Sequence, residues 1–103
     1  MAVELIHVNV PQEALAGICR RWKIVELSLF GSVLRDDFRR DSDIDVLVAF
    51  DPSATWSLLD VVGLQQELAG LFNRPVDLVE KSALRNPFRR RSILASRKIL
   101  YAA

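Results

Sequence analysis

Two short motifs in this sequence contain residue types that could bind a metal ion and a phosphate. Gly31-Ser32 closes one apolar run, and Asp43-Ile44-Asp45 opens the next. Because residues i and i+2 of a strand point to the same side, Asp43 and Asp45 would place two carboxylates on one face. Carboxylates this close repel each other unless a cation neutralises them, and Mg²⁺ prefers oxygen ligands. The spacing therefore predicts a metal site at the start of a strand.

Gly31 and Ser32 have the residue types that suit a phosphate group. A glycine lets the backbone approach a ligand closely. A serine hydroxyl and the backbone amides that follow it can donate hydrogen bonds to phosphate oxygens. Phosphate beside Mg²⁺ is typical of a nucleoside triphosphate site, which works by positioning and charge neutralisation. The chain has no glycine-rich loop followed by Lys and Ser or Thr, so a P-loop is excluded.

A third carboxylate would complete such a site, and Asp77 on a third predicted strand is the best candidate, with Glu80 as its substitute. A neighbouring strand can aim a side chain at the same place as Asp43 and Asp45. Two metal ions could then activate a nucleophile and hold the leaving phosphate. Asp77 could also serve as the general base for an incoming hydroxyl group.

The hydrophobic pattern predicts the elements that position these motifs. Their order is helix, strand, turn, strand, helix, strand, helix, which indicates an α/β (α+β) fold with a small mixed sheet flanked by helices. The predicted strands are residues 24–30, 43–50 and 76–79, after a short strand or arm at 4–8.

Three helices are predicted from apolar spacing and from residues typical of helix ends. The first starts at Pro11 and buries Cys19 as a small apolar side chain, together with Leu15, Ile18 and Trp22. Ser53 or Thr55 would cap the second helix, which ends after Phe72. The last begins at Asn86-Pro87, and its predicted buried side is Ile93, Leu94, Ile99 and Leu100.

The composition limits the class of protein. At 103 residues, of which 50% are apolar, we expect one domain over residues 1–103. A net charge of +1 argues against a dedicated nucleic-acid binder. The single cysteine cannot form an internal disulfide, and neither a signal peptide nor a membrane span is evident. These features predict a cytoplasmic protein without a membrane partner.

The segment from Leu84 to Lys98 contains six basic residues and no acidic residue. It could be a solvated helix face, a patch that meets an acidic partner or attracts a nucleotide, or an RNA-binding surface. RNA is the least favoured of the three, because few aromatic residues alternate with the charges. Trp56, near a helix start, is a packing residue that could also contact a partner.

Gly31-Ser32, ten further residues and then Asp43-Ile44-Asp45 resemble the signature of the minimal nucleotidyltransferases, small members of the DNA polymerase β superfamily. The resemblance extends from Val25 to Glu80 and implies a polymerase β-like fold. It implies that Gly31 and Ser32 hold the triphosphate, that Asp43 and Asp45 bind Mg²⁺, and that Asp77 is the third acid. Arg35 matches an arginine usual in the family and would help to bind the nucleotide, whereas Asp36 stands where many relatives have glycine.

The resemblance also implies a partner and a reaction. Such proteins are similar to the antitoxin of a type VII-like module whose toxin is a HEPN-domain ribonuclease. Antitoxins of this kind can transfer AMP from ATP to a tyrosine of the toxin, with pyrophosphate as the leaving group. A homo- or hetero-oligomer would be compatible with this function.

Three function classes remain open from the sequence. The chain could be this enzyme, a non-catalytic antitoxin that neutralises its partner by binding, or a transferase for a small molecule such as an aminoglycoside. A chain of 103 residues leaves little room for a small-molecule pocket of its own. This favours a large acceptor, or a second subunit that completes the site.

Overall fold

A four-stranded mixed sheet forms the centre of the protein in a computed structural model that describes residues 2–4, 9–34 and 42–103. Its strands are β3 (Ile24–Phe30), β4 (Ile44–Phe50), β5 (Val76–Glu80) and β6 (Lys98–Ala102). The spatial order is β5-β4-β3-β6, in which β4 runs parallel to β5 and antiparallel to β3. Two short strands, β1 (Ala2–Glu4) and β2 (Asn9–Pro11), form a separate antiparallel pair. The mixed sheet that the sequence predicts is confirmed.

Three helices cover the sheet: α1 (Gln12–Arg21), α2 (Leu58–Phe72) and α3 (Pro87–Ser96). Short 3₁₀ turns follow β3 at Gly31–Leu34 and β5 at Lys81–Ala83. In the parts of the chain that the structure describes, no helix is long and apolar enough to cross a membrane.

The central strand β4 is buried on both faces of the sheet. Ile44, Val46 and Val48 belong to the large core that α1 and α2 complete. Leu47 faces the other way, into a smaller cluster with Phe30 of β3 and Ile93 of α3. This two-sided burial explains why β4 is a nearly continuous apolar run after Asp45. The sheet therefore has an α1/α2 face and an α3 face.

The predicted apolar stripe of α1 is confirmed at Leu15, Ile18 and Cys19, which are all buried. Burial raises the pKa of the Cys19 thiol to about 12, although Arg20 opposes the shift slightly. The thiol therefore stays protonated at neutral pH, and Cys19 packs as a small apolar side chain.

The predicted last helix is wrong beyond Ser96. Ile99 and Leu100 lie on β6, where Leu100 is buried and Ile99 is 47% exposed. The apolar spacing from Ile93 to Leu100 fits a helix, but β6 pairs with β3 and gains a ladder of backbone hydrogen bonds. Of the predicted 4–8 strand, Glu4 lies in β1 and residues 5–8 lie outside the described residues.

The predicted cap of α2 is also wrong. Ser57 caps the helix, and Ser53 and Thr55 do not. The Ser57 hydroxyl accepts a hydrogen bond from the Asp60 amide at 3.2 Å, and the Ser57 amide donates to Asp60 Oδ2 at 2.9 Å. Ser53 is used instead in the turn after β4, where its amide donates to Asp51 Oδ1 at 2.8 Å. This turn delays the helix start by several residues.

Two tryptophans and one carboxylate join α1 to α2. The Trp22 and Trp56 rings meet edge to face at a centroid distance of 4.9 Å, and Trp56 Nε1 donates to the Trp22 carbonyl at 2.8 Å. Trp22 Nε1 donates to Glu67 Oε2 at 2.8 Å, and the Arg21 guanidinium donates to Glu67 Oε1. The predicted packing role of both tryptophans is confirmed.

We predict that Ser57→Ala lowers the free energy of unfolding by about 1 kcal/mol, because the change removes the hydroxyl that caps α2. Urea denaturation at neutral pH measures this loss. Thr55→Ala is the matched control, since Thr55 lies before the helix and is exposed. Equal stability of the two variants would contradict the assigned cap.

We predict that Glu67 makes stability depend on pH. Hydrogen bonds from Arg21 and then Trp22 hold the pKa of Glu67 below its usual value near 4.5. As the pH falls, Glu67 therefore binds a proton in the unfolded chain before it does so in the folded chain. The stabilisation by Glu67 is complete above the pKa of the unfolded state and is lost as the pH falls through the pKa of the folded state. Denaturation of wild type and Glu67→Gln should give a stability difference at pH 7 that shrinks on acidification. A difference that stays constant with pH would contradict the assignment.

Candidate active site

Gly31 turns the chain sharply at the end of β3. Its φ of +77° lies in the left-handed region that favours glycine, and it begins the 3₁₀ turn Gly31–Leu34. Val33 anchors the turn, because its side chain is only 1% exposed. The buried valine fixes the backbone amides of the turn relative to the sheet.

The Asp45 carboxylate lies directly against the Gly31 backbone. Phe30 pairs with Asp45 across β3 and β4, which brings residue 31 next to this carboxylate. A Cβ on residue 31 would overlap Asp45 Oδ2 and lie 3.2 Å from Asp45 Cγ. Gly31 is therefore required by both its φ and this close approach. The structure brings the two sequence motifs together at one corner of the sheet, which we call the Gly31 corner (Gly31, Ser32 and Asp45).

Asp77 occupies the position beside Asp45 on the neighbouring strand. The parallel pairing of β4 and β5 places Asp45 opposite Asp77 and Ile44 opposite Val76. Paired residues on adjacent strands share a face and lie about 4.8 Å apart. Ile44 is buried on the α1/α2 face, so Asp45 and Asp77 lie on the α3 face.

Asp43 lies immediately before β4 and is exposed, as is Asp77, whereas Asp45 is half-buried. Asp43 and Asp45 thus flank buried Ile44, as the spacing predicts. The structure places Asp43 at the entry to the same strand end as Asp45 and Asp77. All three predicted carboxylates therefore belong to one end of the β4–β5 pair.

The two β strands that carry these acids are also tied together at their starts. The Ile44 amide donates to the Pro75 carbonyl at 2.9 Å. Arg74 Nη1 donates to the Ser42 carbonyl at 3.4 Å. The segment that leads into Asp43 is therefore held against the segment that leads into Asp77.

The remaining predicted site residues have different outcomes. Ser32 is half-buried in the turn after Gly31. Arg35 and Asp36 lie outside the described residues, so the nucleotide-binding role of Arg35 stays a prediction. Glu80 does not substitute for Asp77, because it pairs with Val48 at the other end of β5 and accepts a hydrogen bond from Ser82 at 3.0 Å.

A cavity of about 390 Å³ opens between the Gly31 corner and α3. It is lined by Phe30, Gly31, Leu34, Ser92, Ile93 and Ser96. The sequence reasoning missed the contribution of Ser92 and Ser96. Their spacing of four residues places them on one side of a helix, but nothing local indicates that this side meets Gly31. A cavity of this size is within the range of small-ligand sites.

The residues at this strand end fit a divalent cation. Among residues 2–4, 9–34 and 42–103, no three His, Cys, Asp or Glu side chains form a group that could hold a metal ion, and this includes Asp43, Asp45 and Asp77. Mg²⁺ does not need such a group of three, because it is usually bound by one or two carboxylates with substrate phosphates and water as its other ligands. The Asp45 carboxylate lies against the Gly31 backbone, at the start of the 3₁₀ turn whose backbone amides suit a phosphate.

The chain is similar to known nucleotidyltransferase domains and protein adenylyltransferases. Residues 12–100 match the family model described as a nucleotidyltransferase domain. The protein adenylyltransferase MntA of Thermococcus cleftensis is 39% identical over 66 residues, which cover 64% of this chain and 65% of that protein.

Solved structures with the same fold include one described as a minimal nucleotidyltransferase. It is 40% identical with a TM-score of 0.68, over 84% of this chain and 85% of the other. The fold is also shared with one chain of a structure described as tri-AMPylated Shewanella oneidensis HEPN toxin in complex with MNT antitoxin. That match has a TM-score of 0.62 and 22% identity, over 89% of this chain and 70% of the other.

We predict that Gly31→Ala lowers the free energy of unfolding by about 1–3 kcal/mol, because alanine is strained at this φ and overlaps the Asp45 carboxylate. Gly17→Ala is the matched control. Gly17 lies in α1, and a Cβ on this residue would meet no atom within 4 Å. The control should be as stable as wild type or more stable. If Gly31→Ala were as stable as Gly17→Ala in urea denaturation, the close approach of the Asp45 carboxylate to residue 31 would be contradicted.

Proposed function

Because this chain belongs to the family of nucleotidyltransferase domains, we propose that it transfers AMP from ATP to a hydroxyl group of a HEPN-domain toxin and is the antitoxin of that toxin. In this reaction the acceptor oxygen, expected to be a tyrosine hydroxyl, forms a bond to the α-phosphorus. The bond from the α-phosphorus to the bridging oxygen breaks, pyrophosphate leaves, and the acceptor loses its proton. We expect this to take place in the cytoplasm.

The observation that carries the proposal is the contact of the Gly31 backbone with the Asp45 carboxylate, with Asp77 in register beside it. Gly31 and Ser32 would hold the triphosphate through the turn amides and the hydroxyl, with Arg35 as a further contact. Asp43, Asp45 and Asp77 would supply the one or two carboxylates that bind Mg²⁺, which would supply positive charge to the reacting phosphate. Asp77, which is exposed, can also accept the proton of an incoming hydroxyl.

The exposure of two carboxylates favours a large acceptor. Asp43 and Asp77 lie at the surface, so an acceptor hydroxyl can reach the strand end from solvent. A transferase for a small molecule would need an enclosed pocket for the acceptor next to these acids, in addition to the cavity beside Gly31. The names of the relatives support a protein acceptor, since MntA is a protein adenylyltransferase and a complex with the same fold contains an AMPylated HEPN toxin.

We predict that Asp45→Asn and Asp77→Asn each abolish transfer of labelled AMP from ATP to the HEPN-domain protein in the presence of Mg²⁺. The physical reason is the loss of negative oxygen ligands at the strand end. Glu13→Gln, which removes an exposed carboxylate of α1, is the control and should retain full transfer. The measurement is label on the toxin after gel separation, confirmed by the added mass of AMP.

This experiment also tests the non-catalytic alternative. Transfer by wild type but not by the two aspartate variants would support the enzyme. Neutralisation of the toxin by all variants, without any label on the toxin, would instead identify an antitoxin that acts by binding.

We predict that Asp43→Asn leaves the Tm unchanged or raises it when no divalent cation is present, because it removes one of several neighbouring negative charges. Mg²⁺ should raise the Tm of wild type by binding the folded state, and should raise that of the variant less. Differential scanning fluorimetry with and without Mg²⁺ measures both effects. A clear fall in Tm without metal would show that Asp43 is a structural residue.

A further inference from the structure

The exposed side of α3 and the residues just before this helix carry an aromatic ring and several arginines. Phe88 is 81% exposed, and Arg85, Arg89 and Arg91 around it are exposed as well. From Leu84 to Lys98 the chain has no acidic residue that could neutralise this charge locally. We call Arg85, Phe88, Arg89 and Arg91 the α3 patch.

Two arginines next to the α3 patch have structural partners. Arg90 donates to the Lys81 carbonyl at 3.2 Å, and Arg97 pairs with Glu26 of β3. Both contacts hold α3 against the sheet. Within the parts of the chain that the structure describes, Arg85, Arg89 and Arg91 form no ion pair. Their side chains therefore do not explain how the helix is held.

The α3 patch is next to the candidate active site. Phe88, Ser92 and Ser96 are spaced four residues apart, so they follow one side of α3. Ser92 and Ser96 line the cavity beside Gly31, and Phe88 lies one helical turn, about 5.4 Å, further along. A protein that covers Phe88 would thus reach the rim of this cavity.

We propose that the α3 patch is the docking surface for an acidic region of the acceptor protein, which brings the acceptor hydroxyl to the strand end that carries Asp45 and Asp77. This inference rests on the proposed function. Aromatic residues and arginines are enriched among the residues that contribute most to protein–protein binding. Charge complementarity identifies the partner surface as rich in Asp and Glu, and would speed its approach.

Other exposed features of the chain fit this role less well. Leu58, Leu59 and Val62 form an apolar patch on α2, which packs against the opposite face of the sheet from Asp45 and Asp77. A partner bound at this patch would lie on the opposite side of the sheet from these acids. RNA is disfavoured as an occupant of the α3 patch, because base stacking needs more than one aromatic ring.

The test is steady-state AMP transfer with the HEPN-domain protein as the varied substrate at saturating ATP. We expect Phe88→Ala and the double variant Arg89→Glu/Arg91→Glu each to raise the KM for that protein by about tenfold or more. The kcat and the KM for ATP should stay within about twofold, since the substituted side chains do not line the cavity beside Gly31. Raising the NaCl concentration should increase the KM of wild type for the HEPN-domain protein more than it increases the KM of the double variant.

Two variants serve as matched controls for these changes. Arg20→Glu makes the same charge reversal on the exposed side of α1, and Leu59→Ala removes an exposed apolar side chain from α2. Both should leave the KM for the toxin unchanged. Circular dichroism of every variant confirms folding, which we expect because all the substituted side chains are exposed.

The possible failures can be told apart. If wild type transfers no AMP at all, the proposed function fails. If wild type transfers AMP but the α3 variants keep the wild-type KM, the docking proposal is overturned. An equal rise in KM for Leu59→Ala would assign docking to α2 instead. If the double variant loses only binding of a labelled single-stranded RNA, measured by anisotropy, RNA is the occupant and the proposal is overturned as well.

Discussion

The Asp45 carboxylate occupies the volume that any side chain on residue 31 would need. This constraint depends on the antiparallel register that pairs Phe30 with Asp45, and the register in turn depends on the burial of β4 on both faces. A shift of one residue would turn Asp45 into the α1/α2 core and Ile44 out of it. Hydrophobic packing therefore fixes the place of a charged group that does not itself belong to the core.

The acids at this strand end tolerate one another because two of them reach solvent. Two unit charges about 5 Å apart repel by about 1 kcal/mol in water and by about 3 kcal/mol near a protein surface. Asp43 and Asp77 are exposed, which keeps the repulsion toward the lower value. The fold can thus hold these carboxylates near one another before any cation arrives, and their mutual repulsion would strengthen the binding of a cation.

The local parts of the candidate site could be predicted from the sequence, because they follow short-range rules. The alternation of a strand relates Asp43 to Asp45, and a glycine after an apolar run indicates a turn. The register of Asp77 with Asp45 and the cavity wall formed by Ser92 depend on contacts between distant segments. The same is true of Ile99 and Leu100, whose spacing fits a helix until β3 offers them a strand partner. The cap of α2 was missed because the turn at Asp51 engages Ser53 first.

The two tryptophans lie away from the acids of the candidate active site, so their fluorescence reports on folding and not on the reaction. The chain has two tryptophans, and Trp22 and Trp56 contact each other where α1 approaches the start of α2. Trp56 also borders a cavity with Phe50, at the end of β4 opposite to Asp45. Asp45 and Phe50 lie near opposite ends of β4, about 17 Å apart. Intrinsic fluorescence should therefore report the docking of α1 and α2, and an added fluorophore would be needed to observe events at the strand end that carries the acids.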